Sequence, residues 1–107
     1  MKLIDVWVNC PSREVAEAIS SQLLNRRMVA CSNTYPAIRS SYHWKGAIES
    51  EEEYPLLLKT RESLFGAVSS LISELHPYET PGIIALPIEQ VNDEYRDWLI
   101  AETSEGA

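Results

Sequence analysis

Tyr35-Pro36-Ala37-Ile38-Arg39-Ser40-Ser41-Tyr42-His43-Trp44-Lys45-Gly46-Ala47-Ile48 reads as the middle of a β-ribbon that reverses at Lys45-Gly46. The outward arm opens at Met28-Val29-Ala30-Cys31 and stays extended or aromatic through Tyr35, Ile38, Tyr42 and Trp44. The return arm passes Ile48 and ends in the apolar Leu56-Leu57-Leu58. Pro36 has no amide hydrogen, which predicts a bulge or bend in the outward arm rather than its end. Each arm is about fourteen residues, roughly 45 Å at about 3.3 Å per residue. A domain of this length is about 35 Å across, from a radius of gyration near 13 Å. The tip therefore overhangs. A tip carrying Ile38, Tyr42, Trp44 and Ile48 is an aggregation hazard unless covered, and the simplest cover is a second copy of the chain. Self-association through these four residues is the expectation; the alternative is a tip folded back on its own sheet.

Outward from the ribbon, the remaining elements fall at regular intervals. Leu3 to Asn9 is a predicted strand, with Ile4, Val6 and Val8 on one face and Asp5, Trp7 and Asn9 on the other. Ser12 is the expected N-cap of a helix whose Val15, Ile19 and Leu23 recur at helical spacing as far as Arg26-Arg27. Thr60 is the expected N-cap of a second helix with the stripe Leu64, Val68, Leu71, Ile72 and Leu75. Gly82 to Ile88 is a further strand, and Pro87 puts it at a sheet edge. Asn92 is expected to cap a short last helix with Tyr95, Trp98 and Leu99 facing inward. The run Glu49, Glu51, Glu52 and Glu53 reads as a solvated edge that discourages wrong pairings; convergence of two or three carboxylates on a cation is the sharper alternative.

Strand, helix, strand, strand, helix, strand is the split βαβ order of the α+β class. It predicts a ferredoxin-like βαββαβ sandwich with an extended hairpin between its second and third strands and an added C-terminal helix. One domain should cover 1–103, with Ser104-Glu105-Gly106-Ala107 as a frayed tail.

The totals narrow the function classes. The chain has 107 residues, of which 45 % are hydrophobic, enough for one modest core. A net charge of −7 with nine scattered basic residues argues against nucleic acid as a partner. No apolar run has the length of a membrane span or signal peptide, so no membrane partner is read. Cys10 and Cys31 form neither a disulfide framework nor a CxxC pair, which predicts a reducing, cytoplasmic setting.

Side-chain chemistry concentrates in His76-Pro77-Tyr78-Glu79-Thr80-Pro81. Two prolines make this a stiff connector from helix to strand, and stiff connectors hold groups in place for binding. His76 alone reads either as a helix-end hydrogen-bonding residue or as a metal ligand. Cys10, beside a helix start, could have a lowered pKa and act as a reactive thiol. No Ser-His-Asp set or carboxylate pair at acid–base spacing can be assembled, so the chain is not read as an enzyme.

The segments Ala30-Cys31-Ser32-Asn33, Ser41-Tyr42-His43-Trp44-Lys45-Gly46, Leu58-Lys59-Thr60, His76-Pro77-Tyr78-Glu79-Thr80-Pro81 and Glu94-Tyr95-Arg96-Asp97-Trp98-Leu99 together resemble the CutA family of divalent-cation tolerance proteins. The resemblance covers nearly the whole chain. It implies a homotrimer similar in architecture to PII signalling proteins, with self and divalent cations, copper first among them, as partners and no organic cofactor. It also implies ligand sites in clefts between subunits, involving Cys31, Asn33, Trp44, Lys59, His76, Tyr78 and Glu79, with His76 as the metal ligand. The chain departs from the family pattern at Gly82, Cys10 and Leu75, where relatives often carry Glu, a small residue and a second His. A Cys31–His76 metal site inside one chain conflicts with the topology, which puts them at opposite ends of the sheet. The alternative function is a PII-like signalling trimer that binds a small anionic metabolite, with Lys59 as the cation near a helix start.

Overall fold

The computed structural model describes residues 1–104. Its elements are β1 (Leu3–Cys10), α1 (Arg13–Asn25), β2 (Cys31–Thr34), β3 (Ile38–Trp44), β4 (Ala47–Arg61), α2 (Phe65–Leu75), β5 (Ile83–Ile88) and α3 (Asp93–Glu102), with a 3₁₀ turn at Glu62–Leu64 before α2. The sheet order is β2-β4-β1-β5, antiparallel throughout, and β3 continues along β4 beyond β2. This is the expected ferredoxin-like α+β arrangement, with β1 and β4 central and β5, carrying Pro87, at an edge.

The bulge at Pro36 can be read from the register. Thr34 pairs with Leu56, but Ile38 pairs with Glu53, so four steps on the outward arm match three on the return. The Tyr35 amide still donates to the Pro55 carbonyl at 3.0 Å, and the extra residue then bends the ribbon. Lys45 and Gly46 both have positive φ, 49° and 84°, as a two-residue type I′ turn requires. The molecule measures 45 × 26 × 22 Å, and no residue from Ile38 to Glu52 is buried. The overhang is real.

The core lies on the other side of the sheet. Ile4, Val6, Val8 and Cys10 of β1 and Leu56 and Leu58 of β4 pack against Ala16, Ile19 and Leu23 of α1 and Val68, Leu71 and Ile72 of α2. Ser12 caps α1, its hydroxyl accepting from the Val15 amide at 3.2 Å. Thr60 does not cap α2. It sits inside β4, and its hydroxyl donates to the Met28 carbonyl at 2.6 Å, so the strand outcompetes the helix start and α2 begins only after the 3₁₀ turn. Leu75 lies outside the buried stripe, 38 % exposed at the last turn. Asn92 precedes α3 but makes no side-chain cap bond; its carbonyl accepts from Arg96 instead.

Helix α3 is held largely by polar contacts, because only its Leu99 is buried; Trp98 is 43 % exposed rather than inward. Arg61 closes its C-terminal end, donating to the carbonyls of Ile100 and Thr103 at 2.7 and 2.6 Å and to the Thr103 hydroxyl at 2.6 Å. Ser104 is tied down, its amide donating to the Arg27 carbonyl at 2.9 Å, and the rest of the expected tail, 105–107, lies outside the described residues.

Candidate functional site

The sheet face away from α1 and α2 carries Asp5, Trp7 and Asn9 of β1, opposite Lys59, Leu57 and Pro55 of β4. Following β4 outward, strand alternation brings Glu53, Glu51 and Glu49 to the same face, with Ile38, Ser40 and Tyr42 of β3 as their partners. The connector from α2 to β5 runs beside this ribbon. Between ribbon and connector lies a cleft of about 880 Å³, lined by Trp7, Tyr42, Trp44, Tyr78 and Ile84 and by the carboxylates of Glu49, Glu51, Glu53 and Glu79. No Lys, Arg or His lines it.

His76 anchors the cleft floor. It is buried, its Nδ1 accepts from the Tyr78 amide at 3.2 Å, and its Nε2–H therefore donates to the Asn9 carbonyl at 2.8 Å. The backbone donor fixes this tautomer, because Nδ1 must be unprotonated to accept. Tyr78 packs edge-on against the imidazole, and its hydroxyl donates to Glu53 Oε2 at 2.8 Å. Burial, then that hydrogen bond and the neighbouring carboxylates, raise the Tyr78 phenol above its ordinary range. The acidic run is thus not uniformly a solvated edge: Glu53 is 6 % exposed and bonded, while Glu49, Glu51 and Glu52 stay in water.

The expected site residues fall into two groups. Trp44, Tyr78 and Glu79 line the cleft with His76 beneath it. Cys31 and Lys59 lie at the far end of the same face, while Asn33 is level with Trp7 but two strands away on β2. At the far end Lys59 pairs with Asp5 at 2.8 Å, and burial first, then neighbouring Cys31, raises the phenol of Tyr95 of α3. Burial lowers the Lys59 pKa, but the bond to Asp5 and its charge outweigh this and the ammonium is held. Cys31 is level with Asp5 while His76 is level with Asn9, four residues or about 13 Å along a strand. The two groups stay apart within one chain.

Among the trimer-contact candidates, Ile38, Tyr42 and Trp44 share the cleft face, while Ile48 is on the opposite face, 73 % exposed. The sequence presents Asp5 and Tyr95 only as strand and helix residues, and Glu53 only as one member of the acidic run. Glu53 is the acidic residue nearest the apolar Leu56 to Leu58, and that position along the strand was the available signal. The partnership of Asp5 with Lys59 depends on register and left none. Cys10 is fully buried, and burial first, then the Glu53 charge, push its thiol up to about 11. The lowered pKa expected at a helix start is reversed, because this thiol points into the core and away from the free amides.

A model of the CutA1 divalent ion tolerance protein family matches residues 4–102. The chain belongs to the CutA1 family. It is 42 % identical to the divalent-cation tolerance protein CutA of Pyrococcus horikoshii over 101 residues, 94 % of this chain and 98 % of that protein. It is 41 % identical to mouse protein CutA over 93 residues, 87 % of this chain, but spans only 52 % of that protein. Among solved structures, CutA1 from Oryza sativa superposes with a TM-score of 0.95 at 35 % identity, covering 98 % of this chain and 96 % of that one. CutA1 from Thermus thermophilus gives 0.93 at 39 %, covering 95 % and 99 %.

Copper fits poorly inside one chain. It favours imidazole and thiolate ligands, and here both His76 nitrogens are engaged, Cys10 is in the core and Cys31 is distant. Among the described residues no group of three or more His, Cys, Asp or Glu side chains is arranged to hold a metal ion.

Proposed function

We propose that this chain acts in divalent-cation tolerance as a homotrimer that binds divalent metal weakly, at positions shared between subunits, without catalysing a reaction. The family match over residues 4–102 carries the cation-tolerance reading. The trimer is supported by the open sheet face, where Ile84 and Leu86 of β5 are 55 and 51 % exposed, and by the uncovered ribbon. Weak, shared binding is supported by a cleft walled with carboxylates and free of cations, which supplies oxygen donors but no closed ligand set. A copper ion then needs ligands from more than one copy. Catalysis is disfavoured because the thiol and imidazole best suited to it are respectively desolvated and spent on the backbone.

The anion-binding alternative loses its carriers. Lys59 is neutralised by Asp5, and the helix start expected at Thr60 lies beyond it with Glu62 in its first turn. Sedimentation velocity at micromolar concentration, paired with calorimetric titration of copper, zinc and manganese, tests the reading. A trimer binding metal in the micromolar range or weaker is expected, whereas a monomer, or a trimer with no measurable metal uptake, overturns it.

A further inference from the structure

We infer that the acidic, aromatic cleft is a binding site for a linear polyamine, an extended organic cation rather than a point ion. This goes beyond the metal reading above. Glu49, Glu51 and Glu53 occupy alternate positions of β4 and share the cleft face. Their carboxylates therefore form a row with a step of about 6.6 Å, two residues at about 3.3 Å each. Side chains in such a row do not close on one small ion, and among the described residues no three His, Cys, Asp or Glu side chains do so. An extended cation whose charges repeat at a similar step pairs with successive carboxylates instead. Ammonium groups separated by three or four methylenes lie about 5 to 6 Å apart, a zigzag of bonds near 1.5 Å each.

The walls suit the rest of such a ligand. Trp7, Tyr42, Trp44 and Tyr78 line the cleft, and Tyr42 lies directly across the ribbon from Glu49. Aromatic rings cover methylene segments by apolar contact and attract ammonium groups through their faces. A cleft of about 880 Å³ has room for both parts of the ligand.

The chain's own ammonium already displays this recognition at the rim. Lys45 Nζ lies 3.9 Å from Glu79 Oε2 and 5.5 Å from the Trp44 ring centroid, with a carboxylate and an aromatic ring as its two neighbours. Both side chains of that pair are 72 % exposed. So exposed a pair contributes little, and a free amine can take its place. Deeper in, Glu53 is held by Tyr78, while among the described residues neither Glu49 nor Glu51 takes part in an ion pair. Their charge is available to a ligand.

Calorimetric titration of the full-length chain with spermine, putrescine and magnesium, at about 0.1 M salt, tests the site. Spermine should bind at least about tenfold more tightly than magnesium, with putrescine between them, because only the longer cation spans the row. Glu51→Gln should weaken spermine at least about fivefold, whereas Glu52→Gln, which removes the same charge from the opposite face of β4, should change it less than about twofold. Equal losses in the two variants would reduce the effect to the net negative charge of the chain and overturn the site, as would spermine binding no tighter than magnesium. Absence of metal uptake overturns the metal reading alone, and absence of spermine binding overturns this one alone.

Discussion

The phenol of Tyr78 and the carboxylate of Glu53, 25 residues apart in sequence, meet at 2.8 Å and fasten the proline-bounded connector to the base of the ribbon. Glu53 is buried, so removing its donor leaves an acceptor that water reaches poorly. Tyr78→Phe should lower stability by about 1–3 kcal/mol, the range for orphaning a buried hydrogen-bonding group. Urea denaturation checks this. The substitution should also loosen the cleft wall, read as faster amide exchange from Glu79 to Gly82.

Cys10 makes the fold sensitive to alkali. A thiol in the unfolded chain releases its proton near 9.0, whereas burial and the Glu53 charge hold the folded one to about 11. Between those values the unfolded state binds fewer protons, so stability falls as pH rises through the window and is unaffected by this group below it. Tyr78, raised from 10.0 chiefly by burial, adds a loss of the same sign at the upper end. The stability difference between pH 8 and pH 11 should shrink by on the order of 2 kcal/mol in Cys10→Ala. An unchanged difference would mean that the thiol does not stay protonated in the fold.

Arg61 is the main fastening of α3, with donors to Ile100, Thr103 and the Thr103 hydroxyl. Arg61→Met keeps the aliphatic stem and removes all three bonds, which should cost about 1–3 kcal/mol. Because α3 buries only Leu99, the loss should be local: hydrogen exchange across 93–102 accelerates while the core strands keep their protection.

The fold was legible because its determinants are local. Alternation in Leu3–Asn9, the helical stripes through Ile19 and Val68, and the proline at position 87 each report their own surroundings, and together they fix the topology. Pro36 announced its bulge for the same reason. Thr60 misled because hydroxyls suit both caps and strands, and the Met28 carbonyl across the sheet settled the competition. Tertiary pairing was the illegible part. Glu53 is buried and Glu49 is not, although both share a face, because the Tyr78 connector packs over the ribbon base. Asp5 meets Lys59 through the β1–β4 register, and Ile48 faces away from Tyr42 through the register set by the two-residue turn.

His76 is where a structural role and a metal role give opposite outcomes. Its two ring nitrogens join the start of the connector to the end of β1, through the Tyr78 amide and the Asn9 carbonyl. His76→Ala leaves both backbone groups unpaired in a buried setting, and stability should drop by about 2–4 kcal/mol. If metal is bound by carboxylates of the cleft, its affinity should change by less than about threefold, or about 0.7 kcal/mol, in the variant that remains folded. Calorimetric titration of zinc into His76→Ala at low temperature, with urea midpoints measured in parallel, separates the two roles. A large affinity loss with little change in midpoint would make the imidazole a ligand, and the hydrogen bonds that now hold both of its nitrogens would then have to open when metal binds.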